Sequence, residues 1–269
     1  MKKFNSFNLL SLIIGYGFLY IPIISLIIFS FNDSPTMIWS GFSTKWYYEL
    51  FKNEGLLNSV KASLKIASMS ATFSVVIATL AAITMVRVKK IPCKTLFSGL
   101  MTAPLVMPEV MIGISILMLF VTLERLIGWP SERGVMTVTI AHITLSITYV
   151  YLVILARLKD FDVSLEEAAL DLGASPEKVF FSITLPIIMP SLFSGWLLSF
   201  ALSLDDLVVA SFLSGPGSTT LPMLIFSNIR IGLSPEMNAL ATIIIAIVAF
   251  FVFIAAIVMG IKTKKMRKF

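Results

Sequence analysis

Six long apolar segments constrain the fold of this chain more than any other feature. A helix needs about 20 mainly apolar residues to cross the hydrocarbon core of a bilayer, and each segment reaches that length. We place them at 8–31, 59–86, 96–123, 135–157, 187–213 and 239–261. The sequence therefore predicts an all-α polytopic membrane protein with six transmembrane helices, in which residues 1–269 form a single transmembrane domain.

Composition supports this class over a soluble globule. Apolar residues make up 57% of the chain and charged residues only 13%, which leaves too little polar side chain to cover a soluble surface. The third segment is interrupted by Pro104 and Pro108. The first follows Lys2 and Lys3 as a signal peptide would, but its apolar run is too long and lacks a small-x-small cleavage site, so we expect it to be retained.

The positions of the basic residues predict the orientation, because cytoplasmic loops retain Lys and Arg more readily than exported loops do. With both termini in the cytoplasm, that side receives 14 of the 21 basic residues. These 14 are Lys2, Lys3, Arg87, Lys89, Lys90, Lys94, Arg157, Lys159, Lys178, Lys262, Lys264, Lys265, Arg267 and Lys268. The net charge of +6 is then a topology signal and does not indicate a nucleic-acid partner.

The polar segment 158–186 separates the fourth and fifth apolar segments. Ser164 and Glu167 have the spacing of a capping box, and Gly173 suits the left-handed residue that ends a helix. Ser175 and Pro176 then suit the start of a second helix, which Pro186 would end before the membrane. We expect two short helices that present acidic side chains to the cytoplasm, namely Glu166, Glu167, Asp171 and Glu177.

This segment resembles the EAA loop of binding-protein-dependent ABC importer permeases. The shared positions are Glu167, Ala168, Ala169, Gly173, Ile183, Leu185 and Pro186. The resemblance implies the type I ABC importer permease fold and a loop that docks, with Glu166 among its contacts, into a separate ATPase subunit. The chain has no G-x-x-x-x-G-K-S/T pattern to cradle a nucleotide. We therefore expect a transport subunit that is not an enzyme and holds no cofactor or metal of its own, with ATP bound by the partner.

Three carboxylates lie inside the apolar segments: Glu109 in the third, and Asp205 and Asp206 in the fifth. A charge at the bilayer centre costs at least ~2.5 kcal/mol and persists mainly for function. No basic residue lies in the central parts of these segments, so the sequence predicts a pathway for a cationic solute. The alternative is structural, with the acids joining membrane subunits or capping a kink. His142 is a proton relay in principle, but a hydrogen-bonded packing role is the stronger interpretation.

The resemblance narrows to polyamine importer permeases over nearly the whole chain. It is carried by "APLVMPEV", "IGWPSERG", "SLDDLVVASFLSGPGSTTLP" and "SPEMNALAT", and the putrescine branch matches better than the spermidine branch. One departure is Glu109, where an Asp is usual. The resemblance implies a bacterial inner-membrane protein, a second and different permease subunit, a homodimeric ATPase and a periplasmic polyamine-binding protein.

The expected function is import of a polyamine, putrescine above others, from periplasm to cytoplasm. A spermidine or broad polyamine permease is the alternative within this class. An ion-driven secondary carrier of cations is the alternative from another class, and internal inverted repeats would favour it.

Overall fold

The computed structural model describes residues 6–36, 38–88, 92–232 and 234–266. Within these ranges the chain is mainly helical, and its one extended pairing is an isolated β-bridge between Asn32 and Phe42. The helices are α1 (Ser6–Phe29), α2 (Lys45–Leu50), α3 (Glu54–Arg87), α4 (Lys94–Thr102), α5 (Glu109–Ile127), α6 (Val135–Lys159), α7 (Ser164–Asp171), α8 (Pro176–Val179), α9 (Leu185–Asp205), α10 (Val208–Leu213), α11 (Leu221–Ile231) and α12 (Pro235–Met266). The all-α prediction is confirmed.

Five helical stretches are long and apolar enough to cross a membrane in the part of the chain that the structure describes. They are Leu9–Phe29, Glu54–Arg87, Glu109–Ile127, Val135–Lys159 and Pro176–Asp205. The sixth predicted segment falls within α12, of which the portion Pro235–Phe250 is a shorter apolar helix. The six-segment pattern is thus reproduced in outline. Some of the terminal lysines on which the predicted orientation depends lie outside the described residues.

The third predicted segment is two helices rather than one. Helix α4 ends at Thr102, a 3₁₀ turn covers Ala103–Leu105, and α5 begins at Glu109. Pro104 and Pro108 cause the break because proline donates no backbone hydrogen bond and disfavours helical geometry in the residue before it. Pro108 itself is extended, with φ −58° and ψ 134°.

The chain divides into two compact units. The first, residues 1–57 and 225–269, contains α1, α2 and α12. Its buried Asn32 side chain donates to the carbonyls of Thr36 and Ile38 at 3.0 and 2.9 Å, and Asn32 O accepts from Trp46 Nε1 at 2.7 Å. This network fixes the loop that follows α1, because each buried polar group has a partner.

The second unit, residues 58–224, packs α3, α6 and α9 around one apolar cluster and α3, α5, α6 and α10 around another. Helix α3 contributes small buried side chains, most of them three or four residues apart, which allow close helix approach. They are Ser63, Ala67, Ser70, Ala71, Ser74, Ala78 and Ala82. Gly195 of α9 serves the same purpose, since a Cβ there would lie 3.0 Å from Val150 Cγ1 of α6.

The segment between α6 and α9 differs from the prediction at two points. Ser164 is not a capping residue: α7 begins at it, its N-cap Val163 makes no side-chain cap, and Ser164 N donates to Asp162 Oδ1 at 3.0 Å. Hydrogen bonds from the Ser164 hydroxyl and backbone also lower the pKa of the Asp162 carboxyl. The predicted capping box is therefore wrong, because Asp162 takes the role assigned to Ser164.

Pro186 does not end the second helix. The chain stays helical from Pro176 to Asp205, and a π-helical turn covers Phe180–Thr184. Leu185 N bonds to Phe180 O across this wide turn, so the proline falls in the first turn of α9. A π turn accommodates the missing N–H without a break in the helix. Gly173, with φ +83°, and Ser175, whose Oγ accepts from Lys178 N, occupy the predicted cap positions.

Candidate functional site

A cavity of about 420 Å³ lies within the second unit and collects all three carboxylates singled out in the sequence. Its wall is formed by the break between α4 and α5, the middle of α6, and the end of α9. The polar residues that line it are Glu109, His142, Ser146, Tyr149, Ser203, Asp205 and Asp206. No Lys or Arg is among the described residues that line it, so three acids face one histidine.

Helix ends position these carboxylates. Glu109 is the first residue of α5, where the positive end of the helix dipole favours a carboxylate. Asp205 is the last residue of α9, and Asp206 is extended, with φ −68° and ψ 121°. The prediction that both aspartates lie on one helix is therefore wrong: the helix ends between them, and the chain turns into α10.

Asp206 already has several hydrogen-bond partners. Its Oδ2 lies 3.1 Å from His142 Nε2 and accepts from Ala210 N at 2.8 Å, while Oδ1 accepts from Val209 N at 3.3 Å. Its side chain is 8% exposed and that of His142 is 1% exposed. The carboxylate is thus held by the ring and by the first turn of α10.

His142 is hydrogen-bonded on both ring nitrogens. Nδ1 lies 2.6 Å from Ser203 Oγ, and Nε2 contacts Asp206 as described above. Because an ionised carboxylate only accepts hydrogen bonds, Nε2 carries a proton, and Nδ1 accepts from the Ser203 hydroxyl when the ring is neutral. The predicted role of His142 as a hydrogen-bonded packing residue fits this geometry, but one of its two partners is Asp206, an acid predicted to line the pathway. A separation of 64 residues conceals that pairing in the sequence.

Glu109 and Asp205 are exposed, and no described residue forms a salt bridge with either of them. They are the carboxylates of the cavity that remain available to an incoming cation. Tyr149, at 36% exposure, adds an aromatic ring to the same wall. The cavity can therefore accept positive charge, and the described residues form no group of three or more His, Cys, Asp or Glu side chains that could hold a metal ion.

The second predicted site is the segment α7–α8, which exposes both acidic and apolar side chains. Glu167 and Ala168 are exposed, Gly173 is exposed in the turn between the helices, and Ala169 is half-buried. Further along, Ile183 and Leu185 are half-buried and Pro186 is exposed. Large apolar side chains are exposed around them, namely Leu165, Leu170, Leu172 and Phe181. An exposed surface of this composition is typical of a protein contact.

Glu166 differs from its neighbour Glu167. Its Oε1 lies 2.5 Å from Arg87 Nη2, at the end of α3, and accepts a hydrogen bond from Thr184 Oγ1 in the π turn. The Glu166 side chain is 15% exposed and that of Arg87 is 26% exposed. Glu166, expected on the cytoplasmic surface, is thus directed into the chain. The sequence analysis did not identify Arg87 as the partner of Glu166. The one signal available was that Arg87 lies in the last turn of a long apolar helix, where a charged side chain needs a partner.

The chain matches the family model described as "Binding-protein-dependent transport system inner membrane component" over residues 74–268. The chain belongs to this family. It is a membrane-spanning transport component and not an enzyme.

Curated relatives agree with this assignment. The chain is 51% identical over 252 residues to the putrescine transport system permease protein PotI of Escherichia coli K12, which covers 93% of this chain and 90% of that protein. It is 42% identical over 250 residues to the spermidine/putrescine transport system permease protein PotC of the same organism, covering 93% and 92%. The resemblance to polyamine importer permeases is thereby confirmed.

A solved structure shares the fold. A chain in the crystal structure of a bacterial ABC transporter that imports the acidic polysaccharide alginate matches with a TM-score of 0.71 and 20% identity, covering 93% of this chain and 92% of that one. The match confirms the ABC importer permease fold for this chain.

Proposed function

We propose that this chain is the permease subunit of an ATP-driven importer that moves putrescine from the periplasm to the cytoplasm. The observation that carries the proposal is the single cavity into which Glu109, Asp205 and Asp206 converge. The acidic lining of this cavity suits a cationic solute, as does the name of the 51% identical relative PotI, a putrescine transport system permease protein.

The charge balance of the cavity favours a cationic solute. Asp206 is compensated by His142 and two backbone N–H groups, whereas Glu109 and Asp205 have no basic partner among the described residues. Two uncompensated carboxylates suit a solute with two ammonium groups, and they would repel an anion. An aliphatic diamine has that charge and can also contact the apolar wall of Leu145 and Leu202.

Energy would come from a separate ATPase that binds ATP and contacts α7–α8. The exposed surface of Glu167, Ala168 and Gly173, with the apolar side chains beside it, has the composition expected of that contact. Ile183, Leu185 and Pro186 would carry movement from the contact into α9. The full assembly would add a second, different permease subunit, a homodimeric ATPase and a periplasmic polyamine-binding protein, with both termini of this chain in the cytoplasm.

A spermidine-preferring permease is the second candidate, because the PotC relatives are also similar over 93% of the chain. An ion-driven carrier is a third, since the His142–Asp206 pair lies in the cavity and such pairs can relay protons. Membership of a binding-protein-dependent family weighs against it.

The test is uptake of radiolabelled putrescine and spermidine into proteoliposomes that contain the full complex and internal ATP. We compare wild type with Glu167→Lys, which should lose the ATPase contact, and Asp205→Asn, which should keep the contact and lose uptake. Glu132→Gln is the control, because Glu132 is an exposed acid outside the cavity. Uptake that ignores ATP would contradict the proposal, and faster uptake of spermidine would select the second candidate.

A further inference from the structure

We propose that Glu166, Arg87 and Thr184 form a latch that makes the coupling helix α7, the end of α3 and the start of α9 move together. The inference rests on the proposed function, since it assumes that α7–α8 contacts an ATPase. It assigns Glu166 to positioning within the chain, and leaves contact with the partner to the exposed Glu167 and its neighbours.

The latch joins three elements through one carboxylate oxygen. Oε1 of Glu166 accepts hydrogen bonds from Arg87 Nη2, at 2.5 Å, and from the Thr184 hydroxyl. Arg87 is the last residue of α3, Glu166 lies in the first turn of α7, and Thr184 ends the π turn before α9. These residues are 79 and 18 positions from Glu166 in the sequence, so the contacts are tertiary.

Arg87 is restrained on a second side. Its Cζ lies 5.3 Å from the ring centroid of Phe161, a buried residue in the connection between α6 and α7. A guanidinium over an aromatic face gains a cation–π interaction while its N–H groups bind a carboxylate. Arg87 is therefore held between the end of α6 and the start of α7, unlike a surface arginine without such contacts.

Thr184 connects the latch to the spanning helix. A threonine inside a helix usually bonds its hydroxyl to a carbonyl in the preceding turn, as Thr144 and Thr79 do here. Thr184 donates to Glu166 instead, and its side chain is buried. The π turn thus directs this hydroxyl toward α7, and a shift of α7 is transmitted to Leu185 and the rest of α9.

Partial burial makes this pair different from a surface ion pair. Glu166 and Arg87 are 15% and 26% exposed, whereas the surface pair Lys52–Glu49 is 55% and 53% exposed. Exposed pairs contribute little because water screens them, but loss of one member of a shielded pair leaves the other charge poorly solvated. Removal of either Glu166 or Arg87 should therefore loosen the junction.

The experiment uses the full complex in proteoliposomes and measures putrescine taken up per ATP hydrolysed. The variants are Glu166→Gln, Arg87→Met, their double variant, Thr184→Val and the charge swap Glu166→Arg with Arg87→Glu. Lys94→Met is the matched control, since Lys94 is an exposed basic residue at the start of α4. Recovery of the ATPase subunit on purification measures docking, and the thermal midpoint of the complex measures stability.

We expect Glu166→Gln and Arg87→Met to keep the ATPase bound and to lower uptake per ATP by roughly 2- to 30-fold, the range found for residues that transmit coupling. The double variant should be no worse than the worse single variant, because both remove one interaction. The charge swap should regain part of the loss, and Thr184→Val should give a smaller decrease.

Three results would overturn the latch: loss of the ATPase in Glu166→Gln, an unchanged ratio of uptake to hydrolysis, or additive effects in the double variant. Failure of the proposed function is seen separately, as ATP-independent uptake by wild type. In that event the thermal midpoints still test whether Glu166 and Arg87 interact. Additive shifts in the Glu166→Gln, Arg87→Met double variant would refute the interaction, and non-additive shifts would support it.

Discussion

Asp205 and Asp206 are adjacent in sequence but have different surroundings. Asp206 binds His142 and the backbone of α10, and its side chain is 8% exposed. Asp205 is exposed in the cavity. At the scale of single residues, one carboxylate holds the helix break in place, and its neighbour is exposed with no salt bridge among the described residues.

We predict that Asp206→Asn destabilises the protein and Asp205→Asn does not. The amide at position 206 retains one acceptor in place of two carboxylate oxygens, so a buried N–H or ring nitrogen loses its partner, at a cost of about 1–3 kcal/mol. The thermal midpoint of the purified complex measures this difference. Equal midpoints for the two variants would show that Asp206 has no structural role.

We predict that Asp205→Asn, which should not change stability, lowers the rate of putrescine uptake. Asp205→Asn removes one of the two uncompensated charges and should lower putrescine uptake at an unchanged midpoint. Uptake equal to wild type would remove Asp205 from the pathway.

At the scale of elements, close packing of α3 against α6 and α9 depends on small side chains. Ala78 and Ala82 of α3 are fully buried in the cluster that contains Val150, Ile154 and Ile188. The interval of four residues places them on one face of the helix. Larger side chains on that face would separate helices whose positions also shape the cavity.

We predict that Ala78→Leu lowers the thermal midpoint, because three added carbons in a filled core cost about 1–3 kcal/mol. Ala156→Leu is the control: Ala156 lies on α6 but is exposed, so its substitution should leave the midpoint near that of wild type. A similar decrease in both variants would mean that the face of α3 is not closely packed.

The sequence predicted those elements whose signals are local. Apolar length indicated the spanning helices, and the glycine at 173 and the serine at 175 marked the turn between α7 and α8. The sequence did not predict the π turn that accommodates Pro186. A proline at this position is compatible both with the end of a helix and with a helix that continues through a π turn. The sequence analysis also took Ser164 as a cap although Asp162 lay two residues away.

For the site, the sequence identified the acidic residues but not their partners. Glu109, Asp205 and Asp206 stood out because charge is rare in apolar segments. The contacts of His142 with Asp206 and of Arg87 with Glu166 join residues 64 and 79 positions apart. Only tertiary packing decides such pairs: the place of Arg87 at the end of an apolar helix singles out that residue, but it does not identify Glu166 as its partner.

At the scale of the whole molecule, the distribution of basic residues predicts the side of the membrane on which each loop lies. The lone Cys93 provides a direct test, because it is exposed in the connection between α3 and α4. That connection is assigned to the cytoplasm together with Arg87 and Lys94.

We predict that a membrane-impermeant maleimide labels Cys93 in inside-out vesicles and not in intact spheroplasts. The matched control is Thr44→Cys in a Cys93→Ser background, because Thr44 is exposed in the loop after α1, which the same distribution of basic residues predicts to be periplasmic. Its labelling pattern should be the reverse. Labelling of Cys93 from outside would invert the assigned orientation.

The unbroken helix from Pro176 to Asp205 has a mechanical consequence. Its 30 residues, at about 1.5 Å each, give a rod of about 45 Å with the coupling segment at one end and a cavity carboxylate at the other. A rod of that length acts as a lever arm: a tilt of about 5° at the first end displaces the far tip by about 4 Å, more than the length of a hydrogen bond. If the proposed function holds, a small rocking of the α8 end would therefore be sufficient to bring Asp205 into contact with a bound cation or to withdraw it.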